Sequence, residues 1–480
     1  DGDPATFFYY LREAAASLSP ARRSRLPLFT PEYRDDPRGF GRRFFRGLFD
    51  SLGREAVVVL DNYHELASDS SLHGVLAACV DEVPEGNSVI VISRTESPAE
   101  FARAFMNGRI AKIDWDDLRL VPAETEAIAL ARGISESEHL EVLHSRSGGW
   151  LAGVVLLSEQ WRKTGSVQVV EESDTMQTVF DYFAGEILDS VPVVLQDVLL
   201  RTSLLPRVTR ATAAAVCDVH NAIDHVERLH RRRLFVDRIQ GPVATYRYHA
   251  LFRAFLEARL AVRLPDAERK LLLRRAADAF EAEGGVEDAF ALYVEGMDIL
   301  SAERLFVAHA PRLIAQGRWR ALGDWHLSLS ARTPTMSPWV TFWLGRSLAT
   351  VQPHVAWRIL ESSHAGFISC SDLRGQILAS AGILEALYYQ YDHFREMDTW
   401  IDRIEVLLRD RTIFETGDEA LWVHSAFMLA CTYRSPNHAL LRTSVAAVER
   451  LIEEATDVNA RVSVATMLHY YGYAALDERA

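Results

Sequence analysis

Two short apolar runs, Ala56-Val-Val-Val-Leu60 and Ser88-Val-Ile-Val-Ile92, each stop abruptly at polar residues. Asp61-Asn62-Tyr63-His64-Glu65 follows the first run, and Ser93-Arg94 follows the second. Short continuous runs rich in β-branched residues predict strands buried on both faces, as in a parallel sheet covered by helices. Around them the apolar spacing becomes helical. Phe7, Phe8, Leu11, Ala14 and Ala15 mark a helix over Pro4 to Ser17, a second runs from about Phe44 to Leu52, and a third spans Ser71 to Val83. Helix, strand, helix, strand is an α/β order. Ligands of such sheets gather at the carboxyl ends of the strands, so Asp61, Ser93 and Arg94 are expected on one rim. A carboxylate there suits Mg²⁺ and an arginine there can sense a phosphate. The plain alternative is a turn-forming carboxylate and a solvated strand end.

From Pro122 the strand pattern disappears. Short helices rich in Ala, Leu and Glu lead to Gly148-Gly149-Trp150-Leu151, and an apolar helix continues through Val154 to Leu157. Gly165 to Asp174 is polar and reads as a linker. Next, Val179 to Leu188, Val194 to Leu204 and Ala222 to Arg232 predict three helices, and Leu234 to Ile239 with Thr245 to Tyr248 predicts a hairpin. His249 opens a closing helix to Leu260. Three helices and a hairpin suggest a winged helix.

Beyond Asp266 helical pairs recur, from Leu271–Ala282 with Val286–Glu295 to Glu419–Tyr433 with Thr443–Glu454. In the helix from Met397, residues Met397, Trp400, Ile401, Ile404, Leu407 and Leu408 form one apolar stripe. Pairs repeating at roughly 34 to 45 residues predict a TPR-like solenoid, each repeat covering the next. The expected fold is multidomain and mainly α. Residues 1–120 form a partial α/β P-loop-NTPase-like sheet domain, 121–165 a small helical lid, 175–262 a winged helix and 266–480 the repeats.

Composition narrows the function classes. A net charge of −14 gives the whole chain no electrostatic footprint for nucleic acid. The run Arg228 to Arg233 is therefore more naturally a solvated helix face than a DNA contact. Cys79, Cys217, Cys370 and Cys431 lie far apart, without metal-ligand spacing, which fits a reducing compartment. No signal peptide and no apolar run of about 18 residues is present, so membrane spanning is not expected and a cytoplasmic location follows by elimination. Lys112, Lys163 and Lys270 are the only lysines and none follows a glycine, so the Gly-Lys-Ser/Thr of a phosphate loop is missing. No nucleophile–base pair, metal cluster or glycine-rich loop assembles an enzyme site. The tryptophans of the repeats could stack on a sugar or other inducer, although repeat core is the simpler use.

Several phrases, in this order, resemble the MalT-like, LuxR-family STAND ATPases, bacterial transcription regulators. They are Asp3-Pro-Ala-Thr-Phe7, Val-Val-Leu-Asp61-Asn62-Tyr63-His64, Ser93-Arg94-Thr95, Gly148-Gly149-Trp150, Leu199 to Leu205 and Tyr246-Arg-Tyr-His249-Ala-Leu-Phe252. The resemblance is dense to about residue 265 and looser beyond. It implies ATP or ADP with Mg²⁺ as cofactors. Asp61 would be the Walker B aspartate holding Mg²⁺, directly or through water, Arg94 would face the γ-phosphate, and Asn62 and Ser93 would belong to the same nucleotide site. Asn62 stands where the family usually has a second acid. Trp150 and Leu151 stand where relatives carry a Gly-x-Pro-type motif near the adenine. His249 would contact the β-phosphate of ADP and lock the resting state.

The resemblance also implies that the phosphate loop lies upstream of Asp1, and that a LuxR-type or other DNA-reading domain lies past Ala480. The chain by itself is then expected to be inactive, whereas the intact protein would be a slow ATPase. An inducer or protein partner would bind the helical array and favour a self-associating, ATP-bound state. The rival expectation is a helical-repeat interaction scaffold with a degenerate NTPase.

Overall fold

A computed structural model describes residues 2–18, 26–93, 95–134, 137–147, 149–164, 185, 188, 191–219, 221–231, 235–239, 241, 243–408, 413–455 and 458–475. The linker expected at 165–174 and most of the helix expected at 179–188 lie outside these residues. The chain is mainly helical and divides into two compact units, residues 1–109 with 299–480, and residues 110–298.

The first unit opens with α1 (Pro4–Leu18), α2 (Pro37–Leu52), β1 (Val57–Leu60), α3 (Ser71–Cys79), β2 (Ser88–Val91) and the short α4 (Ala102–Met106). The start of α2 follows from its sequence. Asp36 Oδ1 accepts from Gly39 N at 2.8 Å, and Pro37 occupies the first turn, where its missing N–H costs nothing. Phe8 of α1 meets Phe40 and Phe44 of α2 with ring centroids 4.9 and 4.8 Å apart, forming an aromatic core with Phe29.

β1 and β2 pair in parallel. The expectation of strands buried on both faces is not met. Val58 is buried, but Val57 and Val59 are 57% and 52% exposed, as are Ile90 and Ile92 at 48% and 50%. Successive side chains alternate between faces, and one of the two faces has no covering layer among the described residues.

The second unit begins with α5 (Trp115–Leu118), α6 (Pro122–Ala131), α7 (Ser137–Ser147) and α8 (Leu151–Thr164). Then come α9 (Val193–Thr202), α10 (Arg210–Val216), α11 (Ala222–Arg231), β3 (Val236–Ile239), β4 (Thr245–Tyr248) and α12 (Ala250–Arg263). β3 and β4 are antiparallel, and Val208 exchanges hydrogen bonds with Tyr246 at 2.7 and 2.9 Å. α9, α11, the hairpin and α12 are elements of the expected winged helix, whereas α10 is a helix that the sequence reading did not include. Thr209 caps α10 in a reciprocal box with Thr212. Tyr248, deep in this core, is held by Thr202: the Thr202 hydroxyl donates to Val198 O at 2.6 Å and receives the Tyr248 hydroxyl at 2.7 Å. The pair α13 (Asp266–Ala282) and α14 (Val286–Glu295) completes the unit.

The first unit also holds the helical array α15 (Ile299–Ala315), α16 (Trp319–Ser330), α17 (Pro338–Leu348), α18 (Pro353–Ser369), α19 (Leu373–Gln390), α20 (Met397–Leu407), α21 (Gly417–Arg434), α22 (Leu441–Glu454) and α23 (Val458–Ala475). Ser337, Asp372 and Thr416 cap α17, α19 and α21 with their side chains. Phe342, Leu360, Phe367, Leu387, Trp400 and Phe427 share one continuous core, as stacked repeats require. Met397, Trp400, Ile401 and Ile404 of the predicted stripe are buried in it. No described helix is long and apolar enough to cross a membrane.

Candidate functional site

Strand register builds the rim. Val57 pairs with Ser88 and Leu60 with Val91; beyond them Ile92 N donates to Leu60 O, and Tyr63 N to Ile92 O, both at 2.9 Å. The strands therefore end together, and Asp61 and Ser93 leave the sheet at the same edge. Asp61 is exposed, and its Oδ1 accepts from Asn62 N at 2.9 Å. Asn62 is left-handed, with φ 57° and ψ 37°, a conformation asparagine tolerates well. Its amide cannot act as a carboxylate base. Ser93 Oγ accepts from Thr95 N at 3.2 Å and lies 3.1 Å from Thr95 Oγ1. Arg94 lies outside the described residues.

Immediately behind the rim is a pair that pattern reading missed. Tyr63 and His73 are both buried. His73 Nε2 lies 2.9 Å from Ala67 O, and a carbonyl only accepts, so Nε2 carries the hydrogen. Nδ1 is then left to accept from the Tyr63 hydroxyl at 2.7 Å. Burial, then the charge of Glu100, pushes the Tyr63 pKa up and keeps the phenol protonated. The turn after β1 is thus pinned at Tyr63 by backbone and side chain together. The only sequence signal is a tyrosine two residues past the aspartate, too common to single out.

The rim offers donors of the kind that could hold Mg²⁺. Asp61 and Ser93 are hard oxygen donors open to solvent, and Mg²⁺ keeps several waters while using one or two carboxylates plus phosphate oxygens. Among the described residues, no group of three or more His, Cys, Asp or Glu gathers to hold a metal by itself.

In the second unit, His249 occupies the N-cap position of α12. Its N donates to Phe235 O at 2.8 Å and its O accepts from Arg253 N at 2.9 Å, so its backbone is fixed from both sides. The side chain makes no capping bond to the helix; the ring is exposed and lies 6.3 Å from that of Phe235. An imidazole at the positive end of a 14-residue helix suits an anion.

Other expected features are placed more plainly. Gly149 has φ +77°, where a Cβ would lie 2.6 Å from Leu120 O, so only glycine fits that approach. Trp150 is half-buried and Leu151 half-exposed. Arg231 pairs with Glu227 at 2.6 Å and Arg228 with His225, while Arg232 and Arg233 lie outside the described residues. Trp325 and Trp400 are buried in the array, whereas Trp319, Trp339, Trp343, Trp357 and Trp422 are half-buried.

Comparison with known proteins agrees with this build. Residues 184–268 match the MalT winged helix domain family. The HTH-type transcriptional regulator MalT of Klebsiella pneumoniae (strain 342) is 24% identical over 333 residues, covering 67% of this chain and 35% of the relative. The serine/threonine-protein kinase PknK of Mycobacterium tuberculosis is 25% identical over 292 residues, 59% of this chain and 26% of that protein. The chain thus spans about a third or less of the length of these curated relatives. Among solved structures, the Signal Transduction ATPase with Numerous Domains (STAND) protein with a tetratricopeptide repeat sensor from Pyrococcus horikoshii superposes with a TM-score of 0.64 at 14% identity. That superposition covers 97% of this chain and 66% of the solved one. The chain is MalT-like: it carries a MalT-type winged helix within the fold of a repeat-bearing STAND protein.

Proposed function

We propose that these residues form the switch and helical array of a nucleotide-gated transcription regulator that works in the cytoplasm. The observation that carries this reading is the parallel register that brings Asp61 and Ser93 to one rim. In the intact protein Asp61 holds Mg²⁺ through water beside a nucleotide phosphate, with Ser93 and Arg94 facing the γ-phosphate. His249 contacts the β-phosphate of ADP and stabilises the resting state. An inducer or protein partner on the array favours the ATP-bound form, which self-associates, and DNA is read by a separate effector domain. Asn62 in place of a second acid makes turnover slow. The MalT and STAND likenesses support the regulatory role.

Calorimetric titration of the full-length protein with Mg·ADP and Mg·ATP tests this. Asp61→Ala is expected to remove the Mg²⁺-dependent part of the affinity. His249→Ala should weaken ADP about tenfold, roughly 1.4 kcal/mol, and leave ATP nearly unchanged. Unaltered ADP affinity in both variants would overturn the assignment. A second reading, a repeat scaffold with a degenerate NTPase, is favoured by Asn62 in place of a second acid and by Leu151 where relatives carry a Gly-x-Pro-type motif. It expects no nucleotide heat from the full-length protein at all.

A further inference from the structure

Arg318 is an arginine buried to 4% exposure, at the turn between α15 and α16. Its Nε donates to Thr6 Oγ1 at 3.2 Å, and its guanidinium lies over the rings of Tyr9 and Tyr10, 4.9 and 5.2 Å from their centroids. All three residues belong to α1, some three hundred positions earlier in the chain. Thr6 is itself fixed, since its N and Oγ1 both donate to Asp3 Oδ2 at 2.9 Å. Asp3 is also buried, and its Oδ1 lies 3.8 Å from Arg320 Nε.

The backbone closes in alongside. Gly317 has φ +73°, and a Cβ there would sit 2.3 Å from Phe29 O. Arg34 Nη1 reaches across to Val351 O at 2.8 Å. Two stretches on the sheet side, α1 and residues 29–34, are thus clipped to the α15–α16 turn and to the end of α17. The material of the clip is polar. A guanidinium seated against two adjacent aromatic rings, with a hydrogen-bonded partner, is directional, and a buried charge holds its place only while those partners remain. A purely apolar seam has no such all-or-none character.

We propose that Arg318 is a latch between the helical array and the sheet-side helices, and that the two separate and re-dock as rigid pieces with its contacts setting the balance. The sheet-side piece is tied together by the rings of Phe8, Phe29, Phe40 and Phe44. α2 of that piece runs through Gly53 into β1 and Asp61. An event on α15–α17 therefore has a physical handle on the strand that carries the rim. The latch stands on these contacts alone and does not depend on what binds at Asp61.

The test is a distance measurement in the full-length protein. Spin labels at Leu18→Cys and Leu327→Cys, both exposed positions, with Cys370→Ser, report on α1 and α16 by double electron–electron resonance. The parent should give one dominant distance. Arg318→Gln is expected to raise a longer-distance population about fivefold or more, with circular dichroism unchanged. Thr6→Val removes one hydrogen bond at nearly constant shape and should shift the population in the same direction by less. If Arg318→Gln unfolds the protein, Thr6→Val decides alone. A distribution unchanged in a folded variant, or broadening that accompanies general unfolding in both, would show Arg318 to be ordinary core and end the proposal.

Discussion

The Tyr63 hydroxyl donates to His73 Nδ1 at 2.7 Å, and this one bond ties the turn carrying Asp61 to the helix beneath it. Both side chains are buried, so removing either partner leaves an unmatched polar group inside. Tyr63→Phe should lower stability by about 1–2 kcal/mol, seen as a lower urea midpoint at unchanged slope. An unshifted midpoint would mean that water replaces the bond.

The winged helix has its own buried pair. Thr202→Val keeps the side-chain shape but strands the Tyr248 hydroxyl, which burial holds protonated. The expected loss is about 1–3 kcal/mol. Tyr248→Phe removes the other member, and combined with Thr202→Val it should cost less than the sum of the two single changes. Strict additivity in that double-mutant cycle would deny the coupling.

His364 and His424 should make the array sensitive to acid. Burial, then the charge of Arg403, lowers the His364 pKa to about 4; burial, then Arg450, does the same for His424. An unfolded histidine takes a proton near 6.5, whereas these two resist until about 4. Between those values the unfolded chain binds more protons, so stability is full above about 6.5 and falls as pH drops towards 4. Urea midpoints measured across that window should decline, and His364→Leu with His424→Leu should flatten the slope. A parent curve flat from pH 7 to about 4.5 would contradict the neutral, buried assignment.

Glu385 in α19 receives two donors at one oxygen: the Arg346 guanidinium and, at 3.3 Å, Trp422 Nε1. Arg346 also lies 3.7 Å from the centroid of the Trp422 ring. Three repeat helices therefore meet at one carboxylate. Glu385→Ala is expected to cost about 2 kcal/mol, because it leaves a partly buried cation without its counter-charge. Glu385→Gln, which keeps an acceptor, should cost less. Equal costs would show that packing rather than charge holds the junction.

Much of the architecture could be read from residues in order, because local patterns carry it. The stripe from Met397 to Leu408 and the hairpin after Val236 both depend on neighbours within one or two turns. Asp61 and Ser93 were legible for the same reason. A polar residue that ends a strand is visible in one dimension, and a parallel register of equal strands needs only one further assumption to align the ends.

Tertiary structure alone decided the remainder. An isolated apolar run looks identical whether one face or two are covered, so the exposure of Val57, Val59, Ile90 and Ile92 had no linear signature. The partners of Tyr63, Tyr248 and Arg318 lie 10, 46 and 312 positions away. Nothing in the spacing of residues encodes such meetings. Local chemistry specifies the helices and strands, whereas which polar groups share the low-dielectric interior is settled only when distant segments pack and each buried donor has to find an acceptor.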